Sequence, residues 1–403
     1  MNKWQHVKLG DIASNIQTGP FGSQLHQSDY SEIGIPVVMP KDLIEGKISE
    51  QSIARVESSH VERLSKHKIQ DGDILYSRRG DVGRCAYATA YETNWLCGTG
   101  CLRVTIDSSK AISKFIFYQL QTSQSVGWVE KHAVGSTMLN LNTSILANIP
   151  LSLPPIEVQR KIADILSAYD DLIENNRKQI KLLEEAAQRL YKEWFIDLRF
   201  PGHENTKIID GIPEGWEKCF LGDIAFESGK TVKKEYRNNY ECYLPIDYLP
   251  SKSLVYTEYN DISFAESSLF SFNPSDIIFG AMRPYFHKVI IAYNKGLTRS
   301  TCFVLNSCEK SLWGFLVMTL FSNATIEYAT QISVGTTMPY VRWKDFQKMP
   351  VLVPNKLIAQ QFNNKFTPIS QKLIFLAQQN KALQTSRDCL LPKLMNGELE
   401  VNL

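Results

Sequence analysis

The sequence predicts an α+β chain in which two similar domains are joined by two long helices. The helices pair within the chain as an antiparallel coiled coil, giving pseudo-twofold symmetry. Three observations predict it. The chain repeats itself after about 200 residues: Val134-Gly135-Ser136-Thr137-Met138 returns as Val334-Gly335-Thr336-Thr337-Met338, and Leu9-Gly10-Asp11-Ile12-Ala13 as Leu221-Gly222-Asp223-Ile224-Ala225. Each copy closes on an apolar stripe spaced 4-3-4-3, the signature of a coiled-coil seam. Each stripe holds one asparagine, and only one way of pairing the helices brings the two together.

The first domain is expected over 1–153. Short β-rich runs lie between turn residues: Ile35-Pro36-Val37-Val38-Met39, Asp73-Ile74-Leu75-Tyr76-Ser77 and Leu102-Arg103-Val104-Thr105-Ile106. A helical face follows at Ile112, Phe115, Ile116, Gln119 and Leu120. After Pro154-Pro155 the segment 154–198 is helical. From Ile156 to about Phe195 it holds no Gly or Pro, and Ile162, Leu166, Tyr169, Ile173, Asn176, Ile180, Leu183, Ala187, Leu190 and Trp194 form its seam. A Pro/Gly-marked linker and a second domain fill 199–353, where Asp276-Ile277-Ile278-Phe279 answers the Asp73 run and Phe315, Leu316 and Leu320 answer Phe115, Ile116 and Leu120. The last segment, 354–403, carries the second seam: Phe362, Phe366, Ile369, Leu373, Leu376, Asn380, Leu383, Arg387, Leu390 and Leu394. Pro368 is expected to kink or delay this helix, because proline removes a backbone donor. Arg387 stands where the first seam has Ala187 and is expected to loosen one layer.

An apolar seam needs a partner, and a seam asparagine needs a polar group opposite. A parallel in-register pairing buries Asn176 against Leu376 and Asn380 against Ile180. An antiparallel pairing sets Asn176 across from Asn380, Ile180 from Leu376 and Leu183 from Leu373. The plain alternative is that both asparagines are surface residues. Thirty-odd helical residues give a rod of roughly 50 Å. B-DNA presents equivalent groove faces about 34 Å apart, so paired domains on such a rod suit two half-sites.

Composition narrows the function. A net charge of +2 over 403 residues announces no histone-like binder, though a local basic face remains open. The eight cysteines show no CxxC, and no HExxH accompanies them, so reduced structural thiols in a cytoplasmic protein are expected and no metal. Phe315-Leu316-Val317-Met318-Thr319-Leu320-Phe321 is too short to span a membrane, which takes about 20 apolar residues. Cys97-Gly98-Thr99-Gly100 looks like a methyltransferase cofactor loop, but no Asn/Asp-Pro-Pro-Tyr/Phe pocket accompanies it; Asn273-Pro274-Ser275-Asp276 reads as a turn. No GxxxxGK[ST] loop is present. Neither catalysis nor a bound cofactor is expected.

The order of these parts resembles the specificity subunit of type I restriction–modification enzymes. The resemblance rests on Leu153-Pro154-Pro155 with Gln159-Arg160 and the long seam helix, on Pro213-Glu214-Gly215-Trp216 before Leu221-Gly222-Asp223-Ile224, on 187–197, and on Leu390-Leu391-Pro392-Lys393-Leu394-Met395-Asn396-Gly397-Glu398-Leu399. It covers essentially the whole chain; Ala359-Gln360-Gln361-Phe362 departs from the usual isoleucine-rich run. The resemblance implies a non-catalytic subunit. Each domain would be a target recognition domain reading one half of a split, asymmetric sequence in double-stranded DNA. The helices would set the gap and dock two methyltransferase (modification) subunits, which supply S-adenosylmethionine and the adenine chemistry. Restriction/translocase subunits would complete the full complex. A coiled-coil assembly scaffold with protein-binding globular ends stands as the alternative.

Base reading needs donors and acceptors on an exposed edge; anchoring needs cations or backbone amides at phosphates. The loop holding Ser77, Arg78, Arg79 and Arg84 offers guanidinium groups, and its counterpart offers Arg283 with Tyr285, His287 and Lys288. A solvated basic turn is the plain alternative. Ser136 and Thr137, and Thr336 and Thr337, lie in the repeated loops that would receive a phosphate, with Lys131, Arg342 and Lys344 beside them. Gly22, Ser23 and Gln24 form a third loop, where Gln24 suits adenine. Its counterpart carries Lys230, Lys233 and Lys234 and is more basic.

Overall fold

Both periodic stretches become long helices. In the computed structural model, which describes residues 4–135, 139–266 and 268–401, one helix spans Ile156–Tyr191 and the other Lys356–Met395. The first widens to a π-turn over Lys192–Ile196, where Trp194 and Phe195 turn inward. The second starts at Lys356, so Pro368 does not delay it. The turn around Pro368 is braced by hydroxyls instead: Thr367 Oγ1 donates to the Asn363 carbonyl at 2.7 Å and Ser370 Oγ to that of Thr367 at 2.9 Å.

The chain divides into two units. The first combines residues 1–171 with 385–403; the second is 172–384. Each unit therefore contains part of both long helices. In the second unit the pairing is antiparallel, fixed at two points. Asn176 Nδ2 donates to Asn380 Oδ1 at 2.9 Å and to Gln379 Oε1 at 2.8 Å. Further along, the Trp194 ring lies 5.7 Å from that of Phe362. Ile180, Leu373 and Leu376 are buried in the same core. Asn176 and Asn380 are only 2% and 1% exposed, so they are not surface residues. Each neutral bond of this kind contributes about 1 kcal/mol net, and its larger effect is to penalise any register that leaves an amide alone.

In the first unit, Ile162 and Leu166 share a core with Leu390, Leu391 and Leu394. Arg387 does not loosen its layer. Its guanidinium meets Asp170 at 2.6 Å and Asp388 at 2.8 Å, and Tyr118 Oη donates to the other Asp170 oxygen at 2.6 Å. An ion pair replaces the apolar contact that alanine gives elsewhere in the seam. Burial, and then Asp170, raise the Tyr118 phenol above its ordinary range.

Each unit is built on a four-stranded antiparallel sheet of the same order. In the first, the strands run Ala13–Thr18, Cys101–Ile106, Ile74–Ser77, Cys85–Tyr87; in the second, Ala225–Glu227, Cys302–Ser307, Ile277–Gly280, Val289–Ile291. The other three strands of each sheet are largely buried, as their apolar runs require, while the first, Ala13–Thr18 or Ala225–Glu227, lies at the edge and is mostly not. Helices Ser113–Leu120 and Trp313–Leu320 pack in the respective cores. Outer pairs Gln5–Lys8 with Pro150–Leu153, and Glu217–Phe220 with Pro350–Val353, also match.

A second, smaller sheet differs between the units. In the first it runs Leu96–Cys97, Ile35–Val38, Ala54–Val56, Tyr30–Ser31; in the second, Cys242–Tyr243, Gly296–Arg299, Leu269–Phe272, Thr231–Val232. Both contain one parallel pair. The strand preceding the long central strand is at the edge in the first unit and inside in the second. The linker holds a two-residue hairpin, Ile208–Ile209 with Ile212–Pro213, turned on Asp210 (φ 50°) and Gly211 (φ 76°). Asp-Gly suits this turn because both residues tolerate positive φ.

Candidate nucleic-acid interface

Sheet register decides which loops meet. In the first unit Thr18 pairs with Leu102, and Ser77 with Cys101. The loops after the first and third strands therefore leave from the same sheet end. A third loop is stitched to them: Leu141 N–H donates to the Arg78 carbonyl at 2.8 Å and Gly80 N–H to that of Leu139 at 3.2 Å. The Arg78 guanidinium sits 6.0 Å from the exposed Phe21 ring. Gly19 explains the Cys97-Gly98-Thr99-Gly100 turn, since a Cβ there would fall 1.8 Å from the Gly98 carbonyl oxygen. Those glycines serve close backbone approach.

The second unit repeats the arrangement. Gly280 pairs with Cys302, Val341 N–H donates to the Ala281 carbonyl at 2.9 Å, and Arg283 N–H to that of Pro339 at 2.7 Å. Arg283 Nη2 reaches the Thr337 carbonyl at 3.4 Å.

The expected contacts sort as follows. Gly22, Ser23, Gln24, Arg79 and Lys131 are exposed in the first unit, and Arg78 is half-buried. Arg84 is exposed but held by Asp81 at 2.8 and 3.1 Å. Ser136 and Thr137 lie outside the described residues. In the second unit Lys230, Lys233, Lys234, Tyr285, Thr336, Thr337 and Lys344 are exposed and Arg283 is half-buried. Arg342 is exposed and paired with Asp345 at 2.8 Å.

Two expected contacts are corrected. Ser77 is 1% exposed, its hydroxyl donating to the Arg79 carbonyl at 3.0 Å. His287 is 5% exposed, with Nε2 at 2.9 Å from the Phe321 carbonyl. Burial holds its pKa below the ordinary histidine value, partly offset by that bond. Both residues brace their loops, and neither presents a side chain to a duplex. Lys288 is intermediate: half-buried, its ammonium donates to the Ile246 carbonyl at 2.7 Å. The sequence reading also missed Phe21 and Phe286, 56% and 45% exposed in these loops. An aromatic between glycines, or after Pro-Tyr, is the signal that marks them.

Elsewhere the polar clusters are structural. Arg103 and Asp73 form a buried pair at 3.4 Å, with Arg103 also donating to the Lys68 and Lys66 carbonyls. Burial raises the Asp73 pKa despite hydrogen bonds from Thr105 and Gln70. In the second unit Asp276 accepts from the Asn273 amide at 2.8 Å, closing the expected turn. Cys85, Cys97 and Cys242 are buried thiols pushed up to about 12 by desolvation. Among the described residues no group of three His, Cys, Asp or Glu side chains could hold a metal ion, and no helix is long and apolar enough to cross a membrane.

Two sheets with equivalent loop sets define a duplicated recognition protein, and comparison with known proteins identifies the class. The model for the type I restriction modification DNA specificity domain matches residues 1–185 and again 213–385. The chain belongs to that family. It is similar to the specificity subunit of the type I restriction enzyme MjaIX of Methanocaldococcus jannaschii, 29% identical over 99% of this chain and 94% of that one. It is also 22% identical to the HindI specificity subunit of Haemophilus influenzae, over 99% of this chain and 100% of its relative. The fold matches the crystal structure of the type I restriction-modification S subunit from M. genitalium, with TM-score 0.63 and 17% identity over 99% and 97% of the two chains.

Proposed function

We propose that this chain reads a bipartite, asymmetric site in double-stranded DNA, one half per unit, and itself performs no chemistry. One observation carries the reading: the same sheet presents the same three loops in both units, yet the loops after its first and third strands carry unlike residues, while the third, at 134–138 and 334–338, differs at one position in five. A shared frame with unlike side chains is what two unlike half-sites require. The exposed groups suited to the work are Gly22, Ser23, Gln24, Arg79 and Lys131 in the first unit. In the second they are Lys230, Lys233, Lys234, Tyr285, Thr336, Thr337, Arg342 and Lys344. Arg78, Arg84, Arg283 and Lys288 complete the set as partly engaged cations. Ser136 and Thr137 are proposed from the repeat alone.

The outer helix faces and neighbouring surfaces dock two methyltransferase subunits, and restriction/translocase subunits join the full complex. Such an assembly works on chromosomal DNA in the cytoplasm. The domain plan is two recognition domains, 1–153 and 199–353, with helical regions 154–198 and 354–403.

Sequencing of methylated adenines in cells with and without this gene tests the reading. Two short halves around a fixed gap, lost on deletion, are expected. An unchanged set of motifs, with the partner methyltransferase expressed, would falsify the reading and favour the scaffold.

A further inference from the structure

The loop between strands Ile277–Gly280 and Val289–Ile291 differs in kind from its counterpart. In the first unit the Ser77 amide reaches the Arg84 carbonyl at 2.9 Å; in the second the Gly280 amide reaches that of Lys288 at 2.8 Å. The second loop is thus one residue longer. It also exchanges an arginine-rich turn for Pro284-Tyr285-Phe286.

That turn is unusually fixed. Arg283 (φ 50°, ψ 60°) and His287 (φ 54°, ψ 57°) flank it, both left-handed and neither a glycine. Such residues are held there only where the surroundings over-determine them. Here they do: the Arg283 amide is bonded to Pro339, the buried His287 ring to Phe321, and the His287 carbonyl accepts from the Lys252 amide at 2.8 Å. At the tip Tyr285 and Phe286 stand side by side, ring centroids 4.8 Å apart, 49% and 45% exposed. The turn packs against helix Asn323–Gln331, which leaves about half of each ring open to solvent.

Cations border the turn in the chain: Arg283 immediately precedes it, and Lys288 follows it with its ammonium held by the Ile246 carbonyl at 2.7 Å. Arg283 Nε is buried without a hydrogen-bond partner among the described residues, and its Nη2 is held only at 3.4 Å. An occupant flat and apolar where it meets the rings and anionic near Arg283 fits this arrangement. Stacked bases with flanking phosphates have that chemistry.

Resting on the DNA reading above, we propose that Tyr285 and Phe286 form an aromatic wedge that stacks on a base step of the half-site read by the second unit. Arg283 anchors the adjoining phosphate. The second half-site is then selected partly by how readily that step unstacks, whereas the first is read through guanidinium contacts.

The test begins with the split motif found by methylated-adenine sequencing. Duplexes carrying it, with 2-aminopurine at each position other than the methylated adenines, are titrated with the full chain bound to its methyltransferase. One step should brighten. Tyr285→Ala with Phe286→Ala should abolish that signal and weaken site binding about 10- to 100-fold, with binding to unrelated duplex unchanged. Tyr285→Phe with Phe286→Tyr should retain both. If the double alanine variant loses its cooperative melt, Phe286→Leu is read the same way, since it keeps bulk without a ring face. An unchanged fluorescence profile and affinity on a confirmed motif overturns the wedge alone. Absence of any motif overturns the DNA reading with it.

Discussion

The two units share one four-stranded sheet in the same order and a matching loop arrangement, and part company in the side chains carried on the loops after its first and third strands. Their cores against the long helices differ too. In the first unit the layer at Arg387 is charged: Arg387, Asp170 and Tyr118 bond one another. In the second unit the repeat-equivalent positions are Ala187, Ser370 and Met318, and rings fill the end of the helix instead. Phe195 lies 4.8 Å from both Phe315 and Phe362, and Phe362 stacks on Phe366 at 6.1 Å. Duplication preserved the geometry that positions loops and let the means of holding it diverge. Packing and ion pairing are alternative solutions to the same placement problem.

The largest expected effect lies in the aromatic layer. Phe362 is fully buried, so Phe362→Ala should lower stability by about 3–5 kcal/mol in chemical denaturation. A loss below about 1 kcal/mol would mean the rings are not what holds the second unit.

Next comes Glu184, 6% exposed on the first long helix; the repeat-equivalent residue is Gln384. Glu184 Oε1 accepts from Ser253 Oγ and from the Leu254 amide, each at 2.7 Å. Burial pushes its pKa from 4.5 up to about 7, those two bonds opposing the shift. The folded state therefore binds the proton more tightly than the unfolded chain. Stability should fall as pH rises from about 4.5 to 7, by roughly 2–3 kcal/mol. Glu184→Gln should flatten that slope; an unaltered slope would place the titration elsewhere.

Arg387→Ala should cost less, about 1–3 kcal/mol, because the pair is partly exposed. A double-mutant cycle with Asp170→Ala isolates the coupling. Coupling near zero would make the charged layer ornamental. Smallest is Asn176→Leu, at about 1–2 kcal/mol, because Asn380 then loses one buried partner. Asn176→Leu with Asn380→Leu should recover much of it while relaxing register, read by disulfide trapping of cysteine pairs along the seam.

The helices were legible because a seven-residue period over ten positions leaves little choice, and the Asn176–Asn380 layer followed from asking what each amide would face. The large sheet was legible in its apolar runs. The small sheets were not, since two-residue strands such as Leu96–Cys97 carry no period and pair with distant segments. Within the loops, residue type showed which side chains have suitable chemistry but not which way they turn. His287 reads as a contact and is a brace, because burial depends on Phe321, a residue 34 positions away. Arg387 read as a flaw because its partner Asp170 is 217 positions distant.

The division of each long helix between units has a consequence for synthesis. Leu394 and Met395 belong to the core of the first unit, yet a ribosome makes them after all of residues 172–384. The first unit emerges early and waits for its last helical turns. Until they arrive, apolar surface around Phe115 and Ile162 stays open to solvent or to chaperones, and the second unit is in place to finish first.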